Sequence, residues 1–159
     1  MKRRITFYMT IDYIFSLGTC SSNKITYDPL NKNFKNSLPC GKIRLWIGEG
    51  NICLCADEER RIVGLSGNLD TVADITDDAI VLPTVTDGVV TAELGIKSFE
   101  GIIVSIECIG ARRNGERIAF GDVDGDIFVR VSQNLYISLR DGKLCGIVVT
   151  DCHNTQLTA

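Results

Sequence analysis

The sequence predicts a mainly β protein: antiparallel hairpins forming a curved sheet, a sandwich or an open barrel, with one or two short helices. Three observations predict it. Apolar and polar residues alternate at period two through most of the chain, turn-favouring pairs punctuate those runs, and the strand–helix–strand rhythm of a parallel sheet is missing. One domain over residues 1–159 with about nine to eleven short strands is expected.

At the N-terminus, Ile5, Phe7, Met9, Ile11, Tyr13 and Phe15 share one face while Thr6, Tyr8, Thr10 and Asp12 share the other, which predicts a strand. The same stretch also has a basic start, and Leu17-Gly18-Thr19-Cys20-Ser21 resembles a bacterial lipoprotein cleavage box. Asp12 interrupts the apolar run such a signal needs, and Thr19 is large for the position before a modified cysteine. No run reaches the roughly eighteen to twenty apolar residues of a transmembrane helix. Ser21 to Cys40 is polar and basic and reads as a mobile loop in which only Ile25–Tyr27 forms a short strand.

Lys42 to Gly67 is the clearest unit. Ile43, Leu45 and Ile47 alternate with Arg44 and Trp46, and Ile52, Leu54 and Ala56 alternate with Cys53 and Cys55. Gly48 to Asn51 suits one reversal and Asp57-Glu58-Glu59-Arg60 a second, before Ile62 to Leu65, so three consecutive antiparallel strands are predicted. Asn68 to Asp78 has Leu69, Val72, Ala73 and Ile75 near helical spacing with Asp70 as cap, and predicts a short helix.

Three two-residue turns then predict hairpins. Asp87-Gly88 separates Ala79–Thr86 from Val89–Leu94, Asn114-Gly115 separates Ile102–Ile109 from Arg117–Phe120, and Asp141-Gly142 separates Leu135–Leu139 from Leu144–Thr150. Ile127 to Val131 adds one more alternating strand, and the chain ends in a polar tail. Asn51-Ile-Cys-Leu-Cys with Ile62-Val-Gly-Leu echoes Asn134-Leu-Tyr-Ile-Ser with Leu144-Cys-Gly-Ile. The echo indicates two hairpins with similar packing needs rather than a solenoid, with duplication left open.

Seven cysteines is an odd number whose spacing matches no disulfide scaffold, which predicts free thiols and a cytoplasmic location. Cys53 and Cys55 share a strand face, where free cysteine behaves as a small core residue. No Cys-x2-Cys pair occurs and His153 is the sole histidine, a poor basis for zinc. Cys152 and His153 are sequence neighbours, so on an extended chain they point to opposite faces and make a poor nucleophile–base pair. Asp122, Asp124 and Asp126 in GDVDGD offer oxygens to calcium, but the glycine follows the second acid rather than the third, which breaks the EF-hand spacing. Arg112 and Arg113 read as a solvated hairpin tip. Glycines sit in turns rather than in a phosphate loop, and a pI near 5.2 argues against a nucleic-acid footprint. No cofactor is expected.

The net charge of −3 hides an asymmetry: Gly67 to Ala111 carries eight acids against the single Lys97. Such a stretch either solubilises or steers a cationic partner. The expectation is a non-enzymatic protein-binding chain of the immunity or antitoxin type that occludes a basic toxin, a nuclease among the candidates. Asp57, Glu58, Glu59, Asp74, Asp77 and Asp78 are its expected partner-binding residues. Exposed sheet edges offer a further way to bind, by accepting a partner's strand. The alternatives are an exported β binding module, periplasmic or lipid-anchored through Cys20, and a hydrolase using a carboxylate pair.

Overall fold

The computed structural model describes residues 7–8, 11–39, 43–47, 51–69, 75–93, 102–104 and 111–152. Among them lie fifteen strands: β1 (Phe7–Tyr8), β2 (Asp12–Leu17), β3 (Ile25–Asp28), β4 (Asn33–Asn36), β5 (Ile43–Ile47), β6 (Asn51–Ala56), β7 (Ile62–Asn68), β8 (Ile75–Thr76), β9 (Val85–Glu93), β10 (Ile102–Val104), β11 (Ala111–Asn114), β12 (Arg117–Gly121), β13 (Ile127–Ser132), β14 (Leu135–Arg140) and β15 (Lys143–Val149). They form a seven-stranded sheet, β1-β10-β5-β6-β7-β4-β3, and an eight-stranded sheet, β2-β9-β13-β14-β15-β12-β11-β8.

The predicted β class holds, and several of its details change. β5, β6 and β7 form the predicted antiparallel meander, closed by the Asp57–Arg60 reversal, in which Arg60 takes a φ of 66°. Asp141 and Gly142 adopt φ values of 52° and 73°, the paired positive angles of a type I′ turn. At the other expected hairpin only Gly115 is positive, at 60°, and the loop residues are Gly115 and Glu116, with β11 rather than Ile102–Ile109 as partner of β12. β10 instead joins the other sheet, parallel to β5.

Asp87-Gly88 makes no turn, because β9 runs straight through it for nine residues. Up to Asp87 this strand lies parallel to β13, and from Gly88 it lies antiparallel to β2. Glycine is required there by close approach, since an added Cβ would stand 2.5 Å from the Phe15 ring and 2.7 Å from the Ser16 carbonyl.

Ser21 to Cys40 is not a plain loop: β3 and β4 make a hairpin whose second strand, NFKN, holds a single apolar residue and so lacks any alternation to read. In the N-terminal stretch the alternation holds for Ile11, Tyr13 and Phe15, facing inward, against exposed Asp12 and Ile14, but β1 and β2 belong to different sheets. The expected helix at Asn68–Asp78 is replaced at its C-terminal end by strand at Ile75–Thr76, and helix among the described residues amounts to one 3₁₀ residue, Leu69. Thr and Asp are poor helix formers, and pairing with β11 prevails. The Gly48–Asn51 reversal, Asp74, Cys40, Cys108 and His153 fall wholly or partly outside the described residues.

The same five-stranded pattern occurs twice. Strands β5-β6-β7-β4-β3 and β13-β14-β15-β12-β11 have the same order and the same antiparallel pairings. Cys55 opposes Gly64 just before a bulge, as Ser138 opposes Gly146 just before a bulge. Each unit's first meander strand, β5 or β13, takes a parallel neighbour on its outer edge, β10 or β9. Tyr27 and Arg113 hold equivalent positions, opposite Phe34 and Ile118, and they meet across the sandwich with the guanidinium 4.9 Å from the ring centroid. The sequence echo is therefore the visible part of a repeated unit.

The two units bury Leu45, Leu54, Leu65, Val129, Ile137 and Ile147 in one shared core. Each fully buried side chain of this kind stabilises by roughly 1.5–3 kcal/mol. Besides Arg113 over Tyr27, a cluster of hydrogen bonds among the described residues crosses that interface. The turn between β13 and β14 docks on the segment leading into β3: Asn134, fully buried, accepts from the Ile25 N–H at 2.8 Å and donates to the Ile25 carbonyl at 2.7 Å and the Thr150 carbonyl at 2.8 Å. Ser132 Oγ donates to the Val63 carbonyl at 2.5 Å, and Ser21 N–H donates to the Val131 carbonyl at 2.8 Å.

Replacing Asn134 with Ala strands one buried N–H and two carbonyls. The expected cost is about 3 kcal/mol, read as a lower urea midpoint with an unchanged slope. Asn134→Asp should not recover it, because a carboxylate at this fully buried position faces the Ile25 and Thr150 carbonyls and cannot donate to them.

Candidate functional site

The five described acids of the six singled out by sequence do not form one surface. Asp57 closes the β6–β7 turn: its carboxylate accepts from the N–H groups of Glu59 and Arg61, both at 2.9 Å, and from Arg61 Nε at 2.8 Å. Arg61 also reaches Glu59 at 3.1 Å, so two of the three acids in this turn share one guanidinium, and Glu58 is exposed. The turn lies beside β9, through the Arg61–Thr91 bridge and the Ala92 N–H to Arg60 carbonyl bond. Asp77 and Asp78 follow β8, at the opposite edge of the eight-stranded sheet. Six inter-strand steps separate β8 from β9, about 29 Å along the sheet. Asp74 lies outside the described residues.

The strongest gathering of acids is one the sequence hid. The β12–β13 loop and the β14–β15 turn bring Asp122, Asp124, Asp126 and Asp141 to one end of the eight-stranded sheet, where Asp12 of β2 joins them. Arg140 binds the Asp122 carboxylate and the Asp124 carbonyl, both at 2.7 Å, Asp126 accepts from the Asp141 N–H at 2.7 Å, and Lys143 pairs with Asp12. Arg112, which donates to the Gly121 carbonyl at 3.4 Å, also lies near Asp122, so among the described residues five acids face three cations. The GDVDGD spacing hinted at a cation site, but the carboxylates turn to separate partners, and among the described residues no cluster of three or more metal-ligating side chains occurs. The cue that hairpin partners would add Asp141 and Asp12 was tertiary.

Asp57 also lines two adjoining cavities. One, of about 310 Å³, is walled by Asn23, Asn36, Leu38, Pro39, Val63 and Gly64. The other, of about 300 Å³, is walled by Thr19, Arg61, Gly88, Val89 and Val131. The polar wall of the first is already engaged. Asn23 Nδ2 donates to Asn36 Oδ1 and the Val63 carbonyl, and its Oδ1 accepts from Leu38 N–H and Ser37 Oγ. Asn36 pairs with both the N–H and the carbonyl of Leu65.

Burial raises the thiol of Cys152 to about 12 and also raises that of Cys145, which keeps both protonated and weakly nucleophilic near neutral pH. Cys55 corrects the free-thiol expectation. It is disulfide-bonded, whereas Cys20, Cys145 and Cys152 are free thiols. Arg113 likewise is no solvated tip, since it covers Tyr27.

No helix is long and apolar enough to cross a membrane among the described residues. No protein-family model matches the chain, and no curated protein matches it.

Hydrogen bonds from Arg130 and Arg140 hold the carboxyls of Asp87 and Asp122 below the usual 3.8. A carboxyl lowered in the folded state contributes stability above its unfolded pKa and loses it as pH falls through the folded value. The urea midpoint is therefore expected to fall modestly below about pH 4, since both ion pairs are largely exposed. Arg140→Gln should lower the midpoint slightly near neutrality and leave it almost unchanged in acid, which flattens that limb.

Proposed function

We propose that this chain works by binding another protein, and that the partner is basic: an immunity- or antitoxin-type protein that occludes a cationic toxin. A nuclease fits, since an enzyme that grips phosphates presents cations of its own. The observation that carries the proposal is the meeting of Asp12, Asp122, Asp124, Asp126 and Asp141 around fewer cations among the described residues, Arg140, Lys143 and the nearby Arg112. Charges so placed steer a cationic surface over about a Debye length and speed association more than they deepen it. Exposed Glu58, Asp77 and Asp78 extend the negative field at two other places.

Asp124→Asn combined with Glu58→Gln, Asp77→Asn and Asp78→Asn spares the carboxylates that close turns. Co-purification with the product of a neighbouring gene should persist in the parent chain, and this variant should slow its association about tenfold at low salt. Unchanged association at low salt would sink the proposal.

The disulfide on Cys55 favours a second reading, an exported binding module, because such bonds persist in oxidising compartments rather than in a reducing cytosol. Anchoring through Cys20 requires loss of residues 1–19, and with them β2, the strand that pairs with β9 and buries Tyr13. A periplasmic form that keeps β2 is the better version. Protein from its native cell, denatured and alkylated, should take up two further alkyl groups once reduced. A mass that does not change on reduction returns the cytoplasmic version.

A further inference from the structure

The segment Asp77–Thr84 crosses the outer face of the eight-stranded sheet from one margin to the other. It leaves β8, which pairs with β11, and enters β9, which pairs with β13. The strands between are about 24–29 Å of sheet, which nine residue steps at roughly 3.3 Å span only if the chain is nearly extended. Ile80, 5% exposed, and the partly buried Leu82 plug a trough formed by Ala119, Val123, Phe128, Tyr136 and Val148, with the Phe128 and Tyr136 rings stacked at 5.3 Å. Val81 between the plugs is 76% exposed, so the strap alternates plug and outward residue. Two side chains of the sheet hold its backbone: Asn114 donates to the Asp77 carbonyl at 2.9 Å, and Arg117 donates to the Ile80 carbonyl at 3.0 Å.

The repeated unit fills the same places differently. By ladder register, Ala119, Phe128 and Val148 correspond to Lys35, Arg44 and Ser66 of the first unit, and Tyr136 corresponds to the buried Cys53. One copy has polar residues at three of these four places, and the other makes all four a trough for Ile80 and Leu82.

We propose that the trough is a peptide-docking surface and that Asp77–Thr84 is its resident occupant, exchangeable for an extended segment of a partner. The strap specifies the occupant's chemistry: aliphatic residues two apart, in the places of Ile80 and Leu82, and a carbonyl presented to Arg117. This rests on the protein-binding reading above, but it concerns a different surface and does not depend on a basic partner.

The test uses the full chain and a fluorescent synthetic peptide of the strap sequence, residues 77 to 84. Ile80→Ala with Leu82→Ala empties the plugs and removes competition from the strap, whose local concentration on its own sheet is in the millimolar range. The peptide should bind this variant at least about tenfold more tightly than the parent chain. Arg117→Ala should weaken that binding, and a peptide with Asp in place of its Ile and Leu should not bind. A cooperatively folded double variant that ignores the peptide, or takes both peptides equally, overturns the proposal.

Should the double variant not fold, hydrogen exchange of the parent chain decides. Exchange at 79–82 that is faster than in β13–β15 and independent of denaturant supports an exchangeable strap, and exchange only through global unfolding overturns it. Failure to capture a basic partner bears on the acidic end alone, because this peptide carries no cation.

Discussion

Buried carboxamides acting as peptide groups hold the interior of this protein in register. Asn134 offers Ile25 one acceptor and one donor, the pairing a neighbouring strand would offer, at a place where no strand runs. Asn36 does the same for Leu65, at the point where β4 ends. A β-sandwich whose strands leave one sheet for the other must somewhere expose ladder groups to an apolar interior, and each group left unpaired there costs about 1–3 kcal/mol. A side-chain amide answers a donor and an acceptor at once from two separate atoms, as a peptide group does. Asn23, 2% exposed, joins the set by bridging Asn36 and the Val63 carbonyl.

With that constraint met, the architecture becomes a unit used twice. Core positions are conservative between the copies: Leu45, Leu54 and Leu65 answer Val129, Ile137 and Ile147, large aliphatics for large aliphatics. Each copy faces the other, so a change on the inner side disturbs both and tolerates little variation in volume. The outer faces lack that coupling, and there the copies diverge: Lys35, Arg44 and Ser66 stand in one where Ala119, Phe128 and Val148 lie under a strap in the other.

Charge follows a different logic. Most acids of the described residues sit in turns, where carboxylates cap backbone N–H groups, as Asp57 does for Arg61 and Asp126 for Asp141. Turn geometry thus determines where negative charge accumulates, and the hairpins that converge at one end of the eight-stranded sheet carry their aspartates with them. The arginines placed among them neutralise only part of it, leaving a field with one sign.

Period-two alternation and turn chemistry determined the β class, the β5-β6-β7 meander, the type I′ turn at Asp141-Gly142 and the burial of Cys53 and Cys55, because these depend on residues close in sequence. Pairing across distance was decided by the tertiary structure. The same Asp-Gly pair reads as a turn at 87–88 and is a strand, since parallel pairing to β13 on one side and antiparallel pairing to β2 on the other outweigh a local preference of about 1 kcal/mol. β4 was illegible because three of its four residues are polar, whereas β10 was legible as a strand and only its pairing was not, because its partner, β5, is more than fifty residues away. The acidic end has the same cause: each aspartate was visible, but only the closing of three hairpins places Asp12 beside Lys143 and Asp141 beside Asp126, and charge has no periodicity that announces its neighbours in space.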